Sequence, residues 1–312
     1  MEQKRWQRSG ILRKILLASA GAAWAATAAS GAQVVSEGDR AWARQVLQQE
    51  QSIEAEAPRN TVGVLYFRNR TGDPAVDPMQ KGLALMLITD LAAVRQLQVV
   101  ERVRLQALLE ELGLGKTGLV EEGSAPRVGR LLGTHWLVGG QLLSASQGRI
   151  GAAAEVVDVP KADSATLTAV EADPAEFFRL EKDVLFQIIE NLRVELEPAQ
   201  RSRLRIPCSQ STTALLDLFR AVDASDGGDY EGAALFYESA LRKDPEICLA
   251  RTELRELQVR RLVAPRAQAS EVLESLRGRT SLTTQVTTKE QLQRQIPAGS
   301  ESVPVDIEIN FP

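Results

Sequence analysis

The stretch TVGVLYFRNRTGDPAVDP, residues 61–78, decides the fold. Its first seven residues are a short, apolar, β-rich run, the mark of a buried strand. The next eleven are dense in Asn, Gly, Asp and Pro, the composition of a turn. A helix is expected from Met79 to Arg95, with Leu83, Leu87, Leu91 and Val94 on one face. LQVV (97–100) then reads as a second buried strand. A further helix, Glu101 to Leu112, carries Leu105, Leu108, Leu109 and Leu112 at helical spacing. The next opens at Ser124, a capping residue, with Pro126 in its first turn, and stops at Gly133.

Three strands follow at 135–145, 149–159 and 164–172, joined by short polar turns. Asp173-Pro174 starts a long amphipathic helix to about Leu196, whose apolar face runs Phe177, Leu180, Val184, Leu185, Ile188, Ile189, Leu192 and Leu196. Strands alternating with helices, then adjacent strands, predict an α/β domain over 60–200, a mixed sheet flanked by helices.

The chain has 312 residues, 44% apolar and 25% charged, which suits a globular protein of about two domains. Aromatic residues are sparse at 4%, so the core must rest on Leu, Val, Ile and Ala. The net charge of -4 gives no electrostatic footprint for nucleic acid. Residues 1–32 have the order of a secretory signal peptide: a cationic head (Lys4, Arg5, Arg8, Arg13, Lys14), the apolar run Ile15 to Ala26, then small residues. The run is short against the ~20 residues of a spanning helix, the alternative being a retained anchor. Cleavage after Ala32 leaves 32 basic and 40 acidic residues, a net charge of -8. The expected product is a soluble, acidic, periplasmic protein, and no Cys follows the apolar run to take a lipid anchor. Residues 33–59 form a leader helix (38–52, with Trp42, Val46 and Leu47 on one side) and a linker.

A second, all-α unit is expected over 208–263, with helices at 211–225, 229–243 and 246–262. GGDYEGAALFYESALRKDP places Gly228, Tyr230, Ala233, Tyr237, Ala240 and Pro245 at the spacing of a tetratricopeptide repeat. Asp217 and Arg220 depart from that pattern, standing where bulky apolar residues belong. One repeat cannot bury its own face, and Leu249, Leu254 and Leu257 of the next helix supply a partner. Tyr230, Phe236 and Tyr237 line the groove and are the candidate partner surface; for Tyr237 interhelical core is the stronger reading. Cys208 and Cys248 are the two cysteines of the chain. Export allows them to pair, and first and third helices of such a stack put both at one end, so a disulfide stands open beside two buried thiols. Residues 264–312 comprise a helix near 266–277 and the strand VPVDIEINF, in which Val303, Val305, Ile307, Ile309 and Phe311 alternate with polar residues. That strand completes a sheet either in this chain or in a neighbour.

Chemistry finds little purchase. GLGKTG (113–118) ends like a phosphate-binding loop, but the pattern Gly-x-x-x-x-Gly-Lys-Thr needs glycine at 110, where Glu stands. A helix rather than a strand precedes it, so its C-terminal end would face the phosphate. Gly113 reads instead as a helix stop. His135 is the single histidine, which excludes multi-His metal sites, and beside Trp136 it reads as a packed residue. Asp73 and Asp77 sit in a turn and read as helix caps. No catalytic, cofactor or metal site is expected, and no nucleotide.

From VGVLYFRNRTGDP through KGLALMLITDLA, QVVERVRLQALLEELGL and TGLVEEGSAPRVGRLLGTHWLVGGQL, the sequence resembles the curli-secretion family domain of the CsgG/HfaB type, over about 60–200. The resemblance implies a non-enzymatic component of the cell envelope, acting in assembly or transport through protein contacts, free of cofactors and able to form homo-oligomers. Relatives build outer-membrane pores, and others in the wider superfamily act as soluble activators of cell-wall synthesis. This chain departs from the pore formers in lacking the N-terminal Cys and the long hairpins that would build a barrel. The expectation is therefore a periplasmic envelope scaffold, associated with the outer membrane without a lipid anchor.

Overall fold

The computed structural model describes residues 34–53, 57–114 and 122–264. The expected signal peptide, the Lys116-Thr117 pair and the C-terminal helix and strand lie outside the described residues.

The buried run of 61–67 forms β1 (Thr61–Val64) and continues as buried coil to Phe67. The turn-rich segment adds β2 (Arg68–Asn69), and Asp73 caps a short 3₁₀ turn through the Ala75 N–H. Helix α2 (Asp77–Ala92) leads to β3 (Gln98–Val99), α3 (Arg102–Glu111) and α4 (Ala125–Leu132). Strands β4 (Trp136–Ser144) and β5 (Ile150–Asp158) form a nine-residue hairpin. The third expected strand is split into β6 (Asp163–Thr166) and β7 (Val170–Ala172), which pair separately with β5.

The sheet is mixed, in the order β3-β1-β4-β5-β6. β1 is parallel to β3 and β4, β2 is parallel to β4, and β5 is antiparallel to β4, β6 and β7. Helix α5 (Phe177–Asn191) buries Phe177, Leu180, Val184, Leu185, Ile188 and Ile189 against the sheet, as its periodicity predicts. It ends earlier than expected; Glu197 and Gln200 build a capping box that starts a separate helix, α6 (Pro198–Leu204). Ser124 makes no side-chain cap for α4, contrary to expectation, whereas Gly133 ends that helix in the left-handed region at φ 67°.

Helix α2 is not amphipathic in the expected sense. Met79, Gly82, Leu83, Leu85, Met86 and Leu87 are all buried, covering more than one face. The reason is that α2 meets the sheet on one side and a second helical layer on the other. That layer consists of α7 (Thr212–Asp226), α8 (Tyr230–Lys243) and α9 (Ala250–Val259). α7 packs on α2, α8 on α7 and α9 on α8. A Cβ at Gly82 would land inside the Phe219 ring, so glycine is what lets α2 and α7 approach. The leader helix α1 (Glu37–Gln48), with its Ser36/Asp39 capping box, packs on α3. Apolar burial runs unbroken from the sheet through α2 and α7 to Leu257 of α9.

Candidate functional site

The groups brought together most densely lie where α2, α3 and α7 meet. α3 begins at Arg102 and α7 ends at Asp226, and the two meet although 124 residues separate them. Arg102 Nη1 donates to both carboxylate oxygens of Asp226 at 3.0 and 2.9 Å, and to the Tyr66 hydroxyl at 3.2 Å. Lys81 Nζ reaches Asp226 at 3.1 Å and Asp223 at 2.7 Å. Tyr66 donates in turn to Gln106 Oε1 at 2.9 Å. Gln106 donates to Glu110 at 3.2 Å, and Glu110 also accepts from Arg40 of α1 at 3.0 Å.

The Arg102 and Asp226 side chains are only 1% and 2% exposed. Burial opposes the charge on Arg102, but the neighbouring Asp226 and Tyr66 outweigh it and raise its pKa, so the guanidinium stays ionised. Burial, against the pull of Arg102, pushes the Tyr66 hydroxyl up and keeps it neutral. Each group therefore has a partner suited to its charge state, the condition under which a buried ionic network holds elements in one arrangement. No nucleophile stands beside a base here; the network is a fastening. Its outer side opens into a cleft of about 680 Å³ lined by Arg40, Lys81, Glu110, Asp223, Gly228 and Tyr230.

The residues singled out in the sequence are distributed as follows. Cys208 and Cys248 are joined by a disulfide, their Cα atoms 5.0 Å apart, and the Cys248 N–H donates to the Cys208 carbonyl at 3.2 Å. Leu249, next to the bridge, takes φ 64° and ψ -43° in a tight turn closed from Ala250 N–H to Cys248 C=O, and α9 starts from it. Of the three groove aromatics, Tyr230 lines the cleft and Phe236 is half-buried. Tyr237 must be removed from the partner surface: it is 1% exposed, closed into the α7–α8–α9 core, where burial raises its hydroxyl pKa. Asp217 does not break the helical stack, because Lys243 and Arg220 neutralise it at 2.6 and 3.4 Å.

Gly113, at φ 77°, closes α3: its N–H donates to the Glu110 carbonyl and that of Leu114 to Leu109, a Schellman arrangement. Glu110, at the position a phosphate loop reserves for glycine, is held by Arg40 and Gln106. His135 packs edge-on against Trp136, with ring centroids 4.9 Å apart, and its Nε2 lies 3.9 Å from Asp158. Burial opposes the charge of Asp158, but Lys161 outweighs it and holds that carboxyl below its ordinary value. Among the described residues no group of three or more His, Cys, Asp or Glu could hold a metal ion, and no helix is long and apolar enough to cross a membrane.

A second charged cluster lies on α9. Glu253 is 2% exposed, and no donor of the described residues reaches either of its carboxylate oxygens. Burial, with the charge of Glu256 beside it, pushes its pKa up to about 9. Sequence reasoning placed neither cluster, since no periodicity marks Arg102, Asp226 or Glu253 as buried.

Residues 43–158 match the family model described as "Curli production assembly/transport component CsgG". The match begins inside α1 and ends with β5, so α5 and the helical layer fall beyond it. Comparison with curated proteins finds no match. Among solved structures, the chain is similar to the LpoB C-terminal domain from Salmonella enterica, at 13% identity and a TM-score of 0.31, over 43% of this chain and 94% of that one. The LpoB C-terminal domain from Escherichia coli gives 14% identity and a TM-score of 0.30, over 44% and 96%. At these scores the likeness carries no functional information.

Proposed function

We propose, from the match of residues 43–158 to the CsgG family model, that this protein is a non-enzymatic component of the cell envelope, working in curli-type assembly or transport through protein contacts. The family match carries the reading. The buried charges of the α2–α3–α7 junction fit it, because they fasten the helical layer to the family domain and so present its outer face at fixed geometry. That face includes Leu235, half exposed on α8, and Val259 at the end of α9. A tetratricopeptide-like role for α7–α9 in partner binding belongs to the same proposal, as do export to the periplasm and association with the outer membrane.

The test is expression of the whole chain in its native cell, with a photo-crosslinking residue at Leu235 or Val259, followed by fractionation. The reading expects the protein in the envelope fraction, with discrete crosslinked species at these positions and fewer at exposed Glu197, the capping residue of α6. Retention in the cytoplasm would overturn it. Ring-shaped particles recovered only in detergent would instead identify a pore subunit.

A further inference from the structure

The end of the molecule built by α6 gathers charge of one sign. From Pro198 to Ile206 the chain carries Arg201, Arg203 and Arg205 and no acidic residue, although its overall net charge is -4. All three arginines are exposed, and none has an ion-pair partner among the described residues. The Arg201 guanidinium lies over the Phe186 ring of α5, 5.5 Å from its centre. Ile206 follows at 67% exposure, and with Leu235 and Val259 it makes up the exposed large apolar side chains of the described residues.

This tip is held at both ends. Gln96, beside β3, donates to the Glu195 carbonyl at 2.8 Å and accepts from Gln200 of α6 at 3.2 Å. Two residues past Ile206, the Cys208–Cys248 disulfide and the bond from the Cys248 N–H to the Cys208 carbonyl tie the chain to the turn before α9. The backbone that carries the three arginines and Ile206 is thus fixed in advance, which spares a binding event the cost of ordering it. The acids nearest in sequence, Glu190, Glu195 and Glu197, all precede α6, and Glu197 is engaged as its cap.

The C-terminal end of a helix favours cations, which accounts for Arg201 and Arg203 but gives no reason for an open isoleucine beside them. Cations around an exposed aliphatic side chain suit a membrane surface: the guanidinium groups meet lipid phosphates while the aliphatic group enters the boundary between headgroups and acyl chains. At physiological salt a charge is felt over about 8 Å, so such a surface responds to the arginines at the tip rather than to the acidic chain as a whole. An acidic protein segment is served less well. The neighbouring groove, of about 700 Å³ between α5 and α6, sets Glu190 and Glu195 against Arg193 and Arg201 and so offers it no net charge.

We propose that the α6 tip, through Arg201, Arg203, Arg205 and Ile206, binds an anionic phospholipid surface. Its setting is the envelope location proposed above, but binding to purified vesicles is measured without reference to location, so either can fail alone. The test is co-sedimentation of the mature chain with vesicles of equal parts phosphatidylglycerol and phosphatidylcholine, against vesicles of phosphatidylcholine alone. The native chain should prefer the anionic vesicles. Arg203→Glu with Arg205→Glu should weaken that binding at least about tenfold, since each surface arginine is worth about fivefold at an anionic leaflet. Ile206→Ser should weaken it several-fold at unchanged charge. Arg242→Glu with Arg255→Glu, the same charge change at exposed positions of α8 and α9, should leave it unchanged. Absence of a preference for the anionic vesicles would overturn the proposal, as would an equal loss in the two double variants. Retention on immobilised polyglutamate without vesicle binding would assign the tip to an acidic protein and overturn it too.

Discussion

Two buried charged clusters, one where the helical layer meets α2 and α3 and one on its outermost helix α9, are built in opposite ways. At the junction of α2, α3 and α7, Arg102, Lys81, Asp226, Tyr66 and Gln106 satisfy one another, with every charge facing an opposite charge. On α9, Glu253 is as deeply buried but lies beside another carboxyl, Glu256, and takes a proton instead of a partner. The first cluster locks the helical layer to the domain that matches the CsgG family model. The second weakens the outermost helix as pH rises, so stability in this layer decreases outward from the sheet.

The contrast breaks first at Arg102. Arg102→Ala leaves Asp226 buried with Lys81 as its only cation in the cluster and should cost about 3–5 kcal/mol in urea unfolding. A loss below ~1 kcal/mol would mean that the junction is not a fastening. Replacing both cysteines, Cys208→Ser with Cys248→Ser, releases a 40-residue loop and should cost about 2–4 kcal/mol, with the same shift on reduction of the native chain. Gly82→Ala drives a methyl into the Phe219 ring and should lower stability by about 1–3 kcal/mol, although alanine is the better helix former.

A further change concerns pH. The Glu253 pKa is about 9 in the folded chain against 4.5 when unfolded, so the folded state holds the proton more tightly. Its contribution is fully present below pH 4.5 and is lost as pH rises towards 9, at up to about 1.4 kcal/mol per pH unit. Glu181, raised by burial and then by the charge of Asp90, acts in the same direction. Glu253→Gln should therefore remove one proton's share of the slope between pH 5 and 8 and leave the Glu181 share. An unchanged slope in that variant would show that Glu253 is ionised in the fold.

Local signals made much of this architecture legible. The apolar run at 61–64, the leucine spacing of α3 and the stripe of α5 each placed an element, because burial on one side leaves a period in the sequence. Gly113 gave the end of α3, because only its left-handed conformation was at issue, while Glu110 and the helix before the loop removed the phosphate-loop reading. The same logic placed the stripe Leu83, Leu87 and Leu91 of α2 but missed its second covered face, which depends on Phe219, 137 residues later. Asp217 departs from the repeat pattern, and its partner Lys243, on another helix, could not be read from its own helix. The short β2 and the split of β6 from β7 follow from pairing rather than propensity, and pairing leaves no local trace. For the candidate site, the cysteines and Tyr230 could be picked out by type, whereas Arg102 and Asp226 look like ordinary surface charges until the fold joins them.

The helical layer and the domain that matches the CsgG family model should unfold as one cooperative unit. After removal of residues 1–32 the tryptophans are Trp42 and Trp136, both on the family-domain side, while helical circular dichroism reports α7–α9 as well. Urea unfolding followed by both signals is the direct measurement. One coincident transition is predicted for the native chain, separating into two in Arg102→Ala. Loss of helical signal ahead of tryptophan fluorescence in the native chain would contradict it.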